Sequence, residues 1–295
     1  MLVPFTSLLA LASLVVAAPL EKRSKVLASG NGMKSGAISK TLSWQSSGKL
    51  IQGGCPSTVK ISSCYQVLLN SAGNLASRSL SDDSIFADSD DSHHQTTLSD
   101  AYYAETSPFL APAEIGGPEY EEMTVEVEDS SALVKRASAR QRIEMYSMPL
   151  AASGSTWTFT WKSYLSTGTS TSGTFFHLFQ LLRRDGNGGY ILSLGAVNGK
   201  AVVQDSIRGC SSCASIPISS FTGKTVSHTL KVKFGSSGTL SYKAVDSASK
   251  KTLLSYSAKG QMGSSASLKA GAYRAVTSGM SAVKAYVGDF AFKKS

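Results

Sequence analysis

Polar and apolar residues alternate most strictly in Thr156-Trp-Thr-Phe-Thr-Trp-Lys162, as they do along a strand that buries one of its two faces. Ser227 to Phe234 repeats the pattern with Leu230, Val232 and Phe234 inward, and Gly235-Ser-Ser-Gly238 turns it into a further strand from Thr239 to Val245. Phe175 to Leu182 is more continuously apolar, which suits a central strand, and Gly186-Asn-Gly-Gly189 turns it back into a hairpin partner at Tyr190 to Leu194. Ala285 to Lys293 supplies a last strand. Nearer the N-terminus, Gly36 to Gln45, Lys49 to Ser62 and Tyr65 to Leu69 read as strands, and Glu119 to Glu128 regains alternation through Met123, Val125 and Val127. No segment keeps an amphipathic helical period over three turns. Many short strands at regular spacing predict an all-β fold, an antiparallel β-sandwich of jelly-roll type.

Two of these stretches carry chemistry. In Ser267-Leu-Lys-Ala-Gly-Ala-Tyr-Arg274, strand alternation puts Lys269, Gly271 and Tyr273 on one face and Leu268, Ala270 and Ala272 on the other. Gly271 adds no side chain there, so a sugar ring is expected to approach the backbone at that point. Arg140-Gln-Arg-Ile-Glu-Met145 splits in the same way, with Arg140, Arg142 and Glu144 together. If the two faces coincide, they make a cationic groove containing a phenol, suited to a sugar acid.

The chain has 295 residues, of which 42% are hydrophobic and 26 are glycine, enough for a buried core in a turn-rich protein. Residues 1–18 read as a secretory signal peptide and 19–23 as a short pro-segment ending in Lys22-Arg23. Residues 24–75 are expected to form N-terminal strands of the jelly roll, 76–118 an acidic low-complexity insertion or linker, and 119–295 the main domain. Lys135-Arg136 is a second dibasic site, whose cleavage would release a chain starting at Ala137. Net charge is +9, unevenly placed: acidic residues dominate from Leu80 to Ser130, and cations outnumber carboxylates by roughly four to one from Ala137 onward. The expected partner of a secreted, extracellular chain so charged is an acidic polysaccharide rather than nucleic acid, with no membrane after signal cleavage and a monomeric state.

Of the three ways to pair four cysteines, spacing favours Cys55 with Cys64 and Cys210 with Cys213, each closing a local loop in an oxidised chain. No cofactor is required by any motif, and no ligand spacing supports zinc, including at His93-His94. Trp157 and Trp161 share a strand face and are expected in the core rather than on a sugar-stacking platform. Phosphate loops, dinucleotide fingerprints and a Gly-x-Ser-x-Gly elbow are absent. A glycosidase with paired carboxylates is disfavoured because Glu144 is the one glutamate beyond Ala137.

Lys269-Ala-Gly-Ala-Tyr273 resembles the Lys-Ala-Gly-x-Tyr core of the jelly-roll polysaccharide lyases, a concanavalin A-like group that includes alginate lyases and fungal glucuronan lyases. Arg142-Ile-Glu-Met145 is similar to their Arg-x-Glu-Leu motif. His177-Leu-Phe-Gln180 lies between the two, where the family carries a Gln and His motif, and Val287 to Phe292 resembles the closing strand. The resemblance implies cleavage of a uronic acid polymer by β-elimination. Arg142 and Gln180, with Arg140, would neutralise the substrate carboxylate; Tyr273 would be the acid, or acid and base together in a syn geometry, with His177 the alternative base; Arg140, Glu144 and Lys269 would bind substrate. Some such lyases bind calcium, so Asp205 or Asp289 could serve a structural calcium site. The chain departs from the family in two places. His177 and Gln180 are three residues apart and face opposite ways unless a bulge re-aims one of them, and Ala275 stands where the family has Gln. These departures favour a rival reading, a non-catalytic lectin-like carbohydrate-binding protein of the same fold. A third reading is a cell-surface protein whose basic face adheres to wall polyanions.

Overall fold

The computed structural model describes residues 24–71, 140–148, 151–171, 173–210 and 213–295. The expected signal peptide, pro-segment, acidic insertion, strand at 119–128, His93-His94 pair and Lys135-Arg136 site lie outside the described residues.

The strands in chain order are β1 (Lys25–Ala28), β2 (Lys34–Ser39), β3 (Leu42–Ser46), β4 (Lys49–Gln52), β5 (Cys64–Leu69), β6 (Arg140–Ser147), β7 (Ala151–Ala152), β8 (Thr156–Leu165) and β9 (Phe176–Arg183). They continue as β10 (Tyr190–Val197), β11 (Lys200–Asp205), β12 (Ser215–Pro217), β13 (Thr225–Lys233), β14 (Gly238–Asp246), β15 (Thr252–Gly260), β16 (Ser265–Ala275) and β17 (Val283–Lys294), with one short helix, α1 (Ile218–Phe221), before β13. All ladders are antiparallel. One sheet runs β1-β4-β5-β17-β8-β13-β14-β15, and the other runs β12-β11-β10-β9-β16-β6-β3-β2 with β7 paired to β16. The protein is thus an antiparallel β-sandwich.

Alternation decides which side of each strand meets the other sheet. Phe159 and Trp161 of β8, with Leu230 and Val232 of β13, face Ile143 and Met145 of β6, Phe179 and Leu181 of β9, and Leu268, Ala270 and Ala272 of β16. Trp161 stacks on His228 at 4.6 Å between ring centroids, and the two rings lie parallel within 6°. Trp157 packs against Phe159, and its indole Nε1 donates to Ser155 Oγ at 3.0 Å. Both tryptophans therefore serve packing, as expected. His228 is satisfied on both sides, by Ser163 Oγ at 2.8 Å and the Tyr242 hydroxyl at 2.9 Å. Burial holds its imidazole at a pKa of about 3.

The stretch Gly36 to Gln45 is two strands of a hairpin instead of one, because Lys40 and Thr41 form a turn. Only Lys49–Gln52 of the next predicted strand is extended; the remainder is the loop closed by Cys55–Cys64. Cys210–Cys213 closes the second predicted loop.

Candidate carbohydrate site on the outer face of one sheet

The sheet containing β16 turns a polar side outward, and cross-strand register shows which residues share it. Directly opposed residues in an antiparallel ladder project to the same side. One row runs Gln204, Ser193, Gln180, Lys269, Tyr146 across β11, β10, β9, β16 and β6. The next row holds Gly271, Glu144 and Gln45, and a third holds His177, Tyr273 and Arg142. The two motif strands, β6 and β16, are hydrogen-bonded neighbours, so their cationic faces do coincide.

His177 and Gln180 stand on the same side although they are three residues apart. The register of β9 slips at Leu178: Phe179 opposes Leu194 of β10 while His177 opposes Gly195, which leaves Leu178 unmatched. That one-residue bulge turns both Leu178 and Phe179 toward the core and His177 back to the polar face. The matching irregularity in β16 spans Gly271 and Ala272.

Gly271 has a role different from the one expected. A Cβ at this position would run into the carbonyl oxygen of Ile143 and lie 2.9 Å from Glu144 Cα. The missing side chain lets β6 and β16 close together; it does not open space for a sugar ring.

Tyr273 is the centre of the arrangement. The Arg142 guanidinium lies over its ring with Cζ 3.9 Å from the centroid, and Arg140 Nη1 donates to its hydroxyl at 3.2 Å. The His177 ring is 6.1 Å from the Tyr273 ring, and Phe175 and Tyr190 enclose the imidazole at 5.3 and 5.2 Å. Nδ1 of His177 is buried with no hydrogen-bond partner among the described residues. Its pKa is lowered to about 4, chiefly by burial, with Glu144 opposing the shift and Arg142 adding to it. The imidazole is therefore neutral at physiological pH and able to accept a proton. Glu144 is 1% exposed; it accepts from Gln45 Nε2 at 3.1 Å and forms ion pairs with Arg142 Nε at 3.5 Å and Lys269 Nζ at 3.9 Å. It holds the two cations in place, and with Arg140 the face keeps a net positive charge.

All seven predicted site residues thus gather on one face. Ala275 sits at the end of β16 opposite Arg140. Sequence reasoning missed Gln45, Tyr190 and Ser193, because each reaches the site from a strand whose own sequence carries no motif, and Phe175, an apolar residue just before the His177 motif that reads as core. The two aspartates considered for calcium are engaged elsewhere. Asp205 accepts from Arg208, from the Ile207 and Arg208 amides and from the Tyr256 hydroxyl at 2.7 Å. Asp289 accepts from the Ser62 and Ser63 amides and pairs with Lys162 at 2.9 Å. Among the described residues no group of three His, Cys, Asp or Glu side chains is arranged for a metal ion, and no helix is long and apolar enough to cross a membrane.

Fold and site together define a two-sheet β-sandwich with a cationic, tyrosine-centred sheet face. No protein family model matches the chain, and no curated protein matches it. Among solved structures, it is similar to the alginate lyase AlgAT5 of polysaccharide lyase family 7, at 13% identity over 54% of this chain and 72% of that one, with a TM-score of 0.37. The endo-β-1,4-glucuronan lyase of the fungus Trichoderma reesei is similar at 13% identity over 52% of this chain and 75% of that one, with a TM-score of 0.39. Arcelin-5, a lectin-like defence protein of Phaseolus vulgaris, is similar at 8% identity over 54% of this chain and 81% of that one, with a TM-score of 0.38. The sandwich is established by its own strand pairing, and likenesses at these scores add nothing on activity.

Proposed function

We propose that the chain is a secreted, monomeric polysaccharide lyase that cleaves an acidic, uronic acid polymer by β-elimination without a cofactor. The observation that carries this reading is the setting of Tyr273, with one guanidinium against its ring, another at its hydroxyl and a neutral imidazole beside it. The proton next to a uronate carboxylate becomes removable only when the carboxylate charge is neutralised and the developing enolate is stabilised. Arg142, Arg140 and Gln180 supply that, while Lys269 and Glu144 keep the cationic frame in register. His177 takes the C5 proton through its unpartnered Nδ1. The C5–H electron pair forms the C4–C5 double bond, the C4–O4 bond breaks, and the Tyr273 hydroxyl protonates the departing oxygen. Two local disulfides fit an oxidising, extracellular setting.

A second reading, a lectin-like carbohydrate-binding protein, is favoured by burial. Tyr273 and His177 are 6% exposed and Gln180 and Lys269 5%, and none of these four lines the recess beside Phe290 and Phe292 or the one beside Cys210. Such a face could hold a sugar acid without turning it over.

The test is to incubate the protein with glucuronan, alginate, pectate and glycosaminoglycans and follow the ultraviolet absorbance of the unsaturated uronate. Activity on one polymer that falls about 10²–10⁴-fold in Tyr273→Phe is the expected result. Salt-sensitive binding with no turnover on any of them would replace the lyase with the lectin-like protein.

A further inference from the structure

The sheet on the opposite side of the sandwich carries its own charged surface. On β13, β14 and β15 the outward positions are Thr229, Lys231, Lys233, Thr239, Ser241, Lys243, Ser255, Ser257 and Lys259, all exposed, between inward Leu230, Val232, Leu240, Tyr242 and Leu254. Register arranges five lysines into a lattice. Lys231 lies in one row with Thr158 of β8 and Lys293 of β17; Lys233 lies in another with Thr239 and Lys259; Lys243 stands opposite Thr229, diagonal to Lys231. Cations are thus spaced by about 7 Å along a strand and about 10 Å across two strands.

Protection of a sheet edge does not account for Lys231, Lys233 and Lys243. Lysines are used on edges to block pairing, as Lys259 can on the outermost strand β15, but β13 and β14 are each bonded on both sides. None of the five makes an ion pair among the described residues. Asp289, on the same strand as Lys293, is paired with Lys162. The like charges repel one another across the sheet, and a bound polyanion would relieve that repulsion.

We propose that this face is a second binding surface, for an acidic polysaccharide chain. The geometry suits a linear polyanion laid flat over several strands, with serine and threonine hydroxyls between the cations to meet a hydroxyl-rich polymer. These outward positions of β13 to β15 present no large apolar side chain for insertion into a lipid layer and no aromatic ring for stacking on a nucleic acid base. Because this surface and the Tyr273 face lie on opposite sides of the sandwich, a polymer held here leaves the candidate site open. Attachment would raise the local concentration of cleavable or bindable chain at that site. This binding does not depend on catalysis at Tyr273.

The experiment compares three full-length proteins on polyglucuronate-coupled beads in a salt gradient: wild type, a variant with Lys231, Lys233, Lys243 and Lys259 all changed to Ser, and the same four changed to Arg. Serine already occupies neighbouring exposed positions of these strands, so the first variant keeps the surface strand-compatible. We expect its retention at low salt to weaken about tenfold or more, with a shallower salt dependence, because each lost cation releases fewer counterions. The Arg variant should bind like wild type, and Tyr273→Phe should also keep this retention. Wild-type elution by the Ser variant would overturn the proposal, as would retention of the wild type on DNA or anionic vesicles with none on polyglucuronate. Retention is read without turnover, so an absence of lyase activity leaves this test intact.

Discussion

Two imidazoles buried without charge make the stability of this protein sensitive to mild acid, and the size of the effect follows from their surroundings. His228 is 2% exposed, between Trp161, Ser163 and Tyr242, with a pKa of about 3; His177 is 6% exposed, with a pKa of about 4. Both values lie below the ordinary histidine value of 6.5. In the unfolded chain each ring binds a proton as pH falls through about 6.5, whereas in the folded protein it stays neutral to a much lower pH. Proton uptake therefore favours unfolding: the stabilisation is complete above about pH 7.5 and is lost progressively as pH falls from about 6.5 toward 3 to 4. At pH 5 linkage gives a loss of about 2 kcal/mol for each histidine, about 4 kcal/mol together, a large share of a typical domain's stability. The depressed carboxylates Asp185, Asp246 and Asp289 act in the same direction, but only below about pH 5, where unfolded-state aspartates begin to protonate. The windows can thus be separated.

Urea unfolding at pH 7.5, 6 and 5, followed by tryptophan fluorescence, measures the difference. His228→Gln keeps a hydrogen-bonding group in the site but removes the titration, so its loss between pH 7.5 and 5 should be about 2 kcal/mol, whatever its absolute stability. Equal unfolding free energies at pH 7.5 and 5 in the wild type would refute the reasoning. So would an NMR titration showing His228 half-protonated near pH 6 in the folded state.

Gly271→Ala should destabilise the fold by about 1–3 kcal/mol, since its methyl group meets the β6 main chain, and should disturb the Tyr273 face; urea unfolding and near-ultraviolet circular dichroism would register both. A wild-type midpoint in this variant would show that the β6–β16 approach does not need glycine. Replacing Cys55 and Cys64 together by serine removes a bridge with a sequence separation of 9 and should cost about 3 kcal/mol, read as a lower urea midpoint. An unchanged midpoint would show that the loop is held by its other contacts, such as Val59 and Ile61 against Tyr286.

The strands that alternate cleanly were legible in sequence because each has a wet face and a dry one: β8, β13, β14 and the paired motifs of β6 and β16. β11, β12 and β15 were not, although each pairs with a strand adjacent in the chain: β11 runs Ala201-Val-Val203 without alternation, β12 is three residues long, and in β15 Ser255 and Ser257 expose one face while Tyr256 and Ala258 are only partly buried on the other. The disulfide partners followed from spacing alone, as local loops leave little choice.

Residue types and strand parity determined that a lysine, a tyrosine, two arginines and a glutamate would lie on polar strand faces, and that Lys231 and Lys233 would point away from a core. Only the tertiary structure decided which faces adjoin. Adjacency of β6 and β16 is a long-range pairing that no local pattern encodes. The bulge at Leu178, which turns His177 toward Tyr273, arises where the hydrogen-bond registers of three neighbouring strands must be reconciled. Gly271 looked like room for a ligand until β6 was packed against it. Parity is a property of one strand, while register and close approach belong to the sheet, and the candidate site depends on both.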